Sequence, residues 1–540
     1  YSSAASDVYK RQLLPFAVAI IFIAPIIIVF SSLFGTYSDT WNHLIEFVLV
    51  DYVSTSIFLV IGVSIGVLTI GVFTAYAVTN YNFFGKKFFE WALILPLAIP
   101  PYILAYTFTG LFDANGDANV FVRLLFNLEN NFVLFPSVRN IIGAIIVFSF
   151  TLYPYVYLVT RSAFLNQSSS IKESGRLLGL GQVGVFSKIS LPLARPAFIA
   201  GLMLVIMETL SDFGAVDHFA VQTFTTGIFR TWYGLYDLNT AMQLSSLLLM
   251  IIFLFYFLER FSREGVNYTN DNSTFKTSKE INLKGVKSGL VSFFCFLPIF
   301  IGFILPIIEL IIWALDARVT LFNEKFIMSS FNTITLGILT GVLCAFLAFI
   351  INFSIRYTKN NFLGKLSSFL SIGYAIPGLI LAVGITRFLV FADRNIFSDL
   401  DFVITGSLVG LVLAYIIKSY ALANSSIESG YERISNSIDN SARLLGARGS
   451  ILLGKVHFPL MKTSFLTAIL LVTSEVVKEL PATLILRPFN FDTLAVVTYT
   501  YAAEERMYQA AMPSLAIVLI GIVPLIFLSK MIRSSRLAET

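Results

Sequence analysis

Two cysteines and three histidines are all that 540 residues offer of the softer metal ligands, and only 13% of the chain is charged. Cys295 and Cys344 each stand alone inside an apolar run, and His43, His218 and His457 are far apart in sequence. Such spacing supports neither a disulfide framework nor a Cys/His metal site. It also leaves a membrane-embedded enzyme without a His/Asp/Glu or Cys/His constellation. An ordinary soluble domain carries about 25% charged residues. About half that share, with 56% hydrophobic residues and a mean hydropathy of +0.81, leaves too little polarity to coat a water-facing surface. The net charge of +5 is explained by where the basic residues fall between apolar runs, so it does not point to nucleic acid.

What the chain has in quantity is apolar length. Twelve largely apolar runs are centred near Phe22, Leu68, Leu97, Val147, Val205, Ile251, Ile299, Leu343, Leu381, Val412, Ile469 and Leu519. Runs of about 18 to 25 residues cross a ~30 Å hydrocarbon layer as helices. The predicted fold is therefore an all-α integral membrane protein of about twelve spans. A barrel is excluded because the runs do not alternate over about ten residues. Leu13 to Phe34 is too long for a signal-peptide core and reads as an uncleaved first span. Residues 1–12 begin without Met, do not match the start of a span, and are set aside as a possible non-native remnant.

With the N-terminus inside, the inner loops hold Lys86 and Lys87, then Arg161, Lys172, Arg176, Lys188 and Arg195, then the basic residues between Arg260 and Lys287. In the second half they hold Arg356, Lys359, Lys365, Arg433, Arg443, Arg448, Lys455 and Lys462, with Lys530, Arg533 and Arg536 after the last span. The outer loops hold few. That asymmetry predicts a multi-pass bacterial plasma-membrane protein with both termini cytoplasmic.

The chain repeats itself. One ungapped shift pairs Ile171 with Ile438, Arg176 with Arg443, Gly179 with Gly446, Pro192 with Pro459 and Glu208 with Glu475. An earlier echo pairs Ala98-Ile99-Pro100 with Ala375-Ile376-Pro377. The organisation predicted is a first half over 13–262, a polar cytoplasmic linker over 263–287 and a second half over 288–540. Six spans per half relate the halves by an axis along the membrane normal and enclose a central path.

The long inner loop of each half carries the sharpest pattern. Ile171, Ser174, Gly175 and Leu178 share one helical face, as do Ile438, Ser441, Ala442 and Leu445, apolar at the ends and small in the middle. That small centre is predicted to admit close approach by another protein. Gly179 and Gly446 follow, suited to a helix C-terminal turn. Nine residues later come Ile189-Ser190-Leu191-Pro192 and Val456-His457-Phe458-Pro459. The arrangement resembles the cytoplasmic signature of ABC importer permeases: E-A-A, three residues, G, nine residues, I-x-L-P. Its opening triplet is degenerate here, Glu173-Ser174-Gly175 and Asn440-Ser441-Ala442, while the spacing is intact twice. The resemblance implies a MetI-like binding-protein-dependent permease whose short helices dock on two copies of a cytoplasmic ATPase. The chain would bind no cofactor; ATP and Mg²⁺ would be used by the partner. A nearby phosphate-loop look-alike, Gly449 to Val456, lacks the Ser/Thr for Mg²⁺ and follows no strand, and reads as chance.

Span five contains Glu208 and Asp212, and span eleven contains Glu475, Lys478 and Glu479. Four acids facing lipid would cost roughly 10 kcal/mol, so they are predicted to face the interior. There Lys478 would neutralise Glu475 from one turn away, and the group would line the path or clamp the halves together. Pro96, Pro100, Pro101 and Pro377 interrupt spans three and nine, either lining a cavity or kinking helices for packing. Trp91, Tyr102, Trp232 and Tyr233 read as interfacial anchors. The words Met207 to Ala215, Lys478 to Leu484 and Leu486 to Ala495 resemble ferric-iron importer permeases along essentially the whole chain. That likeness implies a periplasmic or extracellular partner that captures Fe³⁺. Thiamine, polyamine or sulfate-like cargo would suit the same architecture, and a gradient-driven secondary transporter would share the twelve spans without needing paired docking helices.

Overall fold

The structure, a computed structural model, describes residues 2–129, 131–264, 280–316, 322–358, 360–398, 403–447 and 449–537. In hydrocarbon a backbone must satisfy its N–H and C=O groups internally, so each apolar run folds as a helix. Among the described residues the first half supplies span 1 (Pro15–Phe34), span 2 (Leu49–Asn80), span 3 (Lys86–Ala98 with Pro101–Phe126), span 4 (Ile141–Leu165), span 5 (Gln182–Ser211) and span 6 (Leu238–Leu258). The second supplies span 7 (Val286–Ala314), span 8 (Glu324–Thr358), span 9 (Asn361–Ala375 with Gly378–Asn395), span 10 (Leu408–Glu432), span 11 (Leu452–Leu460 with Lys462–Lys478) and span 12 (Met507–Ile526). Each predicted run falls on one of these. The helix that carries span 1 starts before the span, running unbroken through Ser2–Ser31.

Spans 3, 9 and 11 are bent by 89°, 110° and 72°. At the first two breaks the chain is extended for two residues, Ile99-Pro100 and Ile376-Pro377, with ψ between 114° and 147°. A proline lacks the N–H for the helical ladder and pushes its predecessor out of the helical region. These prolines therefore do more than kink: they stop one helix and let a second start at a new angle.

Packing does not follow the sequence halves. One core joins Val63, Ile103, Val147 and Val205 of spans 2 to 5 to Cys295 and Ile299 of span 7 and Ile517 and Val518 of span 12. The other joins Cys344, Leu381, Tyr415 and Val472 of spans 8 to 11 to Val18, Phe22 and Val29 of span 1 and Leu244 and Leu248 of span 6. The first and last spans of each half thus cross to the other half's core. Large apolar side chains such as Ile20, Ile27, Phe58, Ile65, Phe293 and Phe331 point outward from the bundle, as a lipid-facing surface requires. Most of the predicted linker, 265–279, lies outside the described residues. Just after it, Ile281–Asn282 pairs in parallel with Tyr81–Asn82 between spans 2 and 3.

Candidate functional site

Two short helices stand at one end of the bundle, Ser169–Leu177 and Asn436–Leu444. Both end the same way. Gly179 and Gly446 take φ of +84° and +85°, and each donates to the carbonyl three residues back, Arg176 and Arg443, at 3.0 Å. The next N–H, from Leu180 or Ala447, reaches the carbonyl of Gly175 or Ala442 at 3.1 and 2.9 Å. This pair of bonds is the Schellman closure, and its left-handed residue has no Cβ to strain.

The predicted faces are only partly as read. Leu178 and Leu445 are 84% and 89% exposed, and the adjacent Leu177 and Leu444 are equally bare. Ile171, Glu173, Ser174, Ile438, Asn440 and Ser441 are exposed as well. Gly175, however, is buried and turned inward: a Cβ there would sit 2.3 Å from Ile189 Cδ1. Its smallness therefore serves packing against the Ile189-Ser190-Leu191-Pro192 stretch, whereas a partner was expected on that face. Ala442 is likewise half-buried against the second core.

The anchors that hold these helices to the membrane body were not predicted. Lys172 is 6% exposed and donates from Nζ to Asn80 Oδ1, 2.8 Å away, at the end of span 2. Burial lowers its ammonium to about 8, and Arg176 pushes the same way. Asp439 occupies the equivalent position in the second helix and is also buried. It accepts from Arg356 Nε at the end of span 8 (2.7 Å) and contacts His457 Nε2 (2.8 Å). Burial would raise this carboxyl, but the bonds from Arg356 and His457 outweigh it and hold it below the ordinary value. Arg356 spends its other nitrogens on the carbonyls of Tyr431 and Ile434, at 2.9 and 2.7 Å. Pro192 and Pro459 each start a helix just after a π-helical turn, Phe186–Ser190 and Leu452–His457.

A cavity of about 110 Å³ lies where the halves meet. A water's share of liquid volume is about 30 Å³, so the space suits a small cargo or a few waters. All five predicted path residues line it: Glu208, Asp212, Glu475, Lys478 and Glu479. So does the break in span 3, through Leu97, Pro100, Pro101 and Tyr102. Asp212 and Glu479 do equivalent work. Asp212 accepts from the N–H of Ala215 at 2.9 Å, and Glu479 from the N–H of Ala482 at 3.3 Å, each at the start of a short helix (Gly214–His218 and Pro481–Leu486). Glu208 accepts from the Tyr374 hydroxyl at 3.0 Å, beside the break in span 9.

Two expectations fail here. Lys478 does not neutralise Glu475: its Nζ donates to the Leu97 carbonyl at 3.3 Å, and no ion pair joins the two among the described residues. A carbonyl left without a helical partner by the span 3 break attracts an ammonium as a carboxylate would. Tyr102 is no interfacial anchor, being buried on the cavity wall. Lys418 of span 10 was missed altogether; it pairs with Glu479. A lone lysine in the middle of an apolar run, Tyr415-Ile416-Ile417-Lys418, was the available signal.

Comparison with known proteins adds the following. Residues 67–263 match the family described as binding-protein-dependent transport system inner membrane component. An Fe(3+)-transport system permease protein of Haemophilus influenzae is 26% identical over 89% of this chain and 90% of its own length. A ferric transport system permease protein of Actinobacillus pleuropneumoniae is 23% identical over 75% of this chain and 59% of its own length. A molybdenum transport system permease protein of Haemophilus influenzae is 28% identical, but over only 27% of this chain.

Proposed function

On the premise that this chain carries a binding-protein-dependent transport system inner membrane component within residues 67–263, we propose that the whole of it is the permease of an ABC importer for ferric iron. Its two sequence halves, 13–262 and 288–540, form the path together. Two cytoplasmic ATPase copies grip the Ser169–Leu177 and Asn436–Leu444 helices, and a binding protein outside delivers the cargo. Both termini then lie in the cytoplasm, at the end that carries the short helices. ATP and Mg²⁺ belong to the ATPase.

The observation that carries this reading is the pair of identically capped helices with bare leucines at one end of a twelve-span body. Exposed leucines of that size in a water-facing loop call for a protein partner. The cargo rests on two supports. The relatives matched along most of the chain are named for ferric iron. The cavity sets the carboxylates Glu208, Asp212, Glu475 and Glu479 against Lys418 and Lys478, an excess of acid that favours a cation over an oxyanion.

The test is uptake of labelled iron into proteoliposomes holding this chain, its ATPase and its binding protein. Uptake should need ATP hydrolysis and the binding protein. Iron moved by the chain alone down a proton gradient would overturn the importer assignment. Nucleotide-driven uptake of molybdate or sulfate in place of iron would overturn the cargo.

A further inference from the structure

Asn80 ends span 2 and holds Lys172 of the first short helix. Directly after it comes Tyr81–Asn82, whose strand partner, Ile281–Asn282, stands where the chain passes from the linker to the second half. So short a pair would not persist on backbone bonds alone, and side chains clamp it. The N–H of Leu283 donates to the Asn82 carbonyl at 2.9 Å, and Asn82 Nδ2 donates to Asn282 Oδ1 at 2.8 Å. Ser288 Oγ accepts from the N–H of Phe84 at 2.9 Å, and Ser292 Oγ donates to the Phe84 carbonyl at 2.7 Å. Lys86 forms an ion pair with Glu280. The clamped turn reaches the first short helix by two routes. Asn80 Nδ2 donates to the Tyr76 carbonyl (3.2 Å) and to Thr79 Oγ1 (2.9 Å), which leaves Oδ1 for Lys172 Nζ. Tyr81 packs edge-on against Tyr76, and Tyr76 lies 4.5 Å from Phe186, ring centre to ring centre. Phe186 opens the turn that carries Ile189, the residue on which Gly175 packs.

Resting on the reading of the short helices as ATPase handles, we infer that residues 280–292 are a strap by which the start of the second half positions the first handle. Glu280, Leu283, Ser288 and Ser292 are positioning residues: they act through the Tyr81–Asn82 turn and touch no cargo. The second handle is fixed by Arg356 and His457 on Asp439, all within its own half. The first has an ammonium on an amide, a bond with one charge where Arg356–Asp439 has two. The strap supplies the stiffness that this anchor lacks. Span 7, which begins at Val286, packs into the same core as spans 2 to 5, so strap and handle ride on one body. A handle that swivels about its base absorbs a push, whereas a strapped one passes it to the spans.

The test places a spin label on a cysteine at Leu178 or, separately, at Leu445 of the purified full chain; Cys295 and Cys344 are buried and stay unlabelled. Glu280→Lys sets two ammoniums against each other, and Leu283→Pro removes the N–H that Asn82 accepts. Each should raise label mobility at Leu178 and leave it unchanged at Leu445. Glu280→Lys with Lys86→Glu restores the pair with its charges exchanged and should return Leu178 to its wild-type mobility. In the complex reconstituted with ATPase and binding protein, iron taken up per ATP hydrolysed should fall at least roughly three-fold in each single variant, the effect of losing about one hydrogen bond. The exchanged pair should recover it. Glu280→Lys decides the matter if the proline variant fails to fold. An unmoved label at Leu178 in folded Glu280→Lys, equal loosening at Leu178 and Leu445, or no recovery by the exchanged pair overturns the proposal. Labels that respond as expected in a chain whose uptake needs no ATP would leave the strap standing and remove the importer reading instead.

Discussion

Replacing Gly179 and Gly446 together by valine should uncouple transport from ATP hydrolysis while leaving the membrane body intact. Both glycines have left-handed backbones, φ +84° and +85°, and a Cβ built at either meets nothing within 4 Å. The cost is therefore conformational and not steric. A left-handed L-residue costs about 1–2 kcal/mol, more for a β-branched one. The sites belong to separate helices with no shared partner, so the two costs add. At 1.4 kcal/mol per decade, each cap shifts about ten-fold or more toward forms without the Schellman bonds. What those forms lose is the fixed direction of Leu177, Leu178, Leu444 and Leu445. The assay is ATPase activity and iron uptake in the reconstituted complex, with thermal melting of the permease as a control. Uptake should collapse while the melting temperature holds, because neither glycine touches a core. Gly179→Asn with Gly446→Asn should behave nearly as wild type, since asparagine tolerates the left-handed region. Wild-type uptake by the valine pair, or equal damage from the asparagine pair, would refute the coupling role.

Other perturbations follow from the same geometry. Asp439→Asn takes the carboxylate from a half-buried Arg356 and should weaken docking of the second helix by about 2 kcal/mol. Protease cleavage within 435–450 should then speed up while the spans stay protected. Lys172 makes the docking of the first helix depend on pH. Its folded value of about 8 lies below the ordinary 10.5, so the undocked helix binds more protons between those values and docking strengthens as pH rises. A spin label at Leu178 should lose mobility from pH 7 to pH 10 in wild type but not in Lys172→Met; the opposite trend would reject the assigned burial. Gly373→Ala should destabilise by about 1–3 kcal/mol, because its Cβ would fall 2.2 Å from the Ile417 carbonyl, which is backbone and cannot turn aside. An unchanged melting temperature would show that spans 9 and 10 do not approach so closely.

Much of this architecture was legible because membrane insertion makes length and proline informative. A run such as Leu49–Asn80 has no alternative to a helix in hydrocarbon, and Ile99-Pro100 and Ile376-Pro377 cannot continue one. Gly179 and Gly446 were readable because only glycine ends a helix this way without strain. Partners across the bundle were not readable. Lys478 was assigned to Glu475 because helical spacing sees only its own helix, and the Leu97 carbonyl that holds it lies 381 residues away. Gly175 was given to a partner for the same reason: which side of a short amphipathic helix meets the body is set by Ile189 and Asn80, not by its own pattern. The crossing of spans 1, 6, 7 and 12 between cores was not legible, since apolar length shows that a helix can span but not which core it joins.

On the proposed reading, two repeated halves in one chain have a physical consequence at the cavity. A permease built from two copies of one polypeptide would carry every path residue twice, so a lysine at the Lys418 position would face its duplicate across a narrow space. Here one side has Thr151 and Ser211 where the other has Lys418 and Lys478. The acids stay doubled because Asp212 and Glu479 each cap a short helix, a structural task that both halves share. Basic charge has no such duty in the first half and can be tuned on one side. Thr151→Lys should therefore test whether the charge of this cavity matters, since it adds a third ammonium to a lining that has four carboxylates and two lysines. ATP-driven iron uptake in the reconstituted complex should fall by roughly ten-fold or more. Unchanged uptake by a folded protein would mean that the charge balance of this cavity does not govern what passes through it.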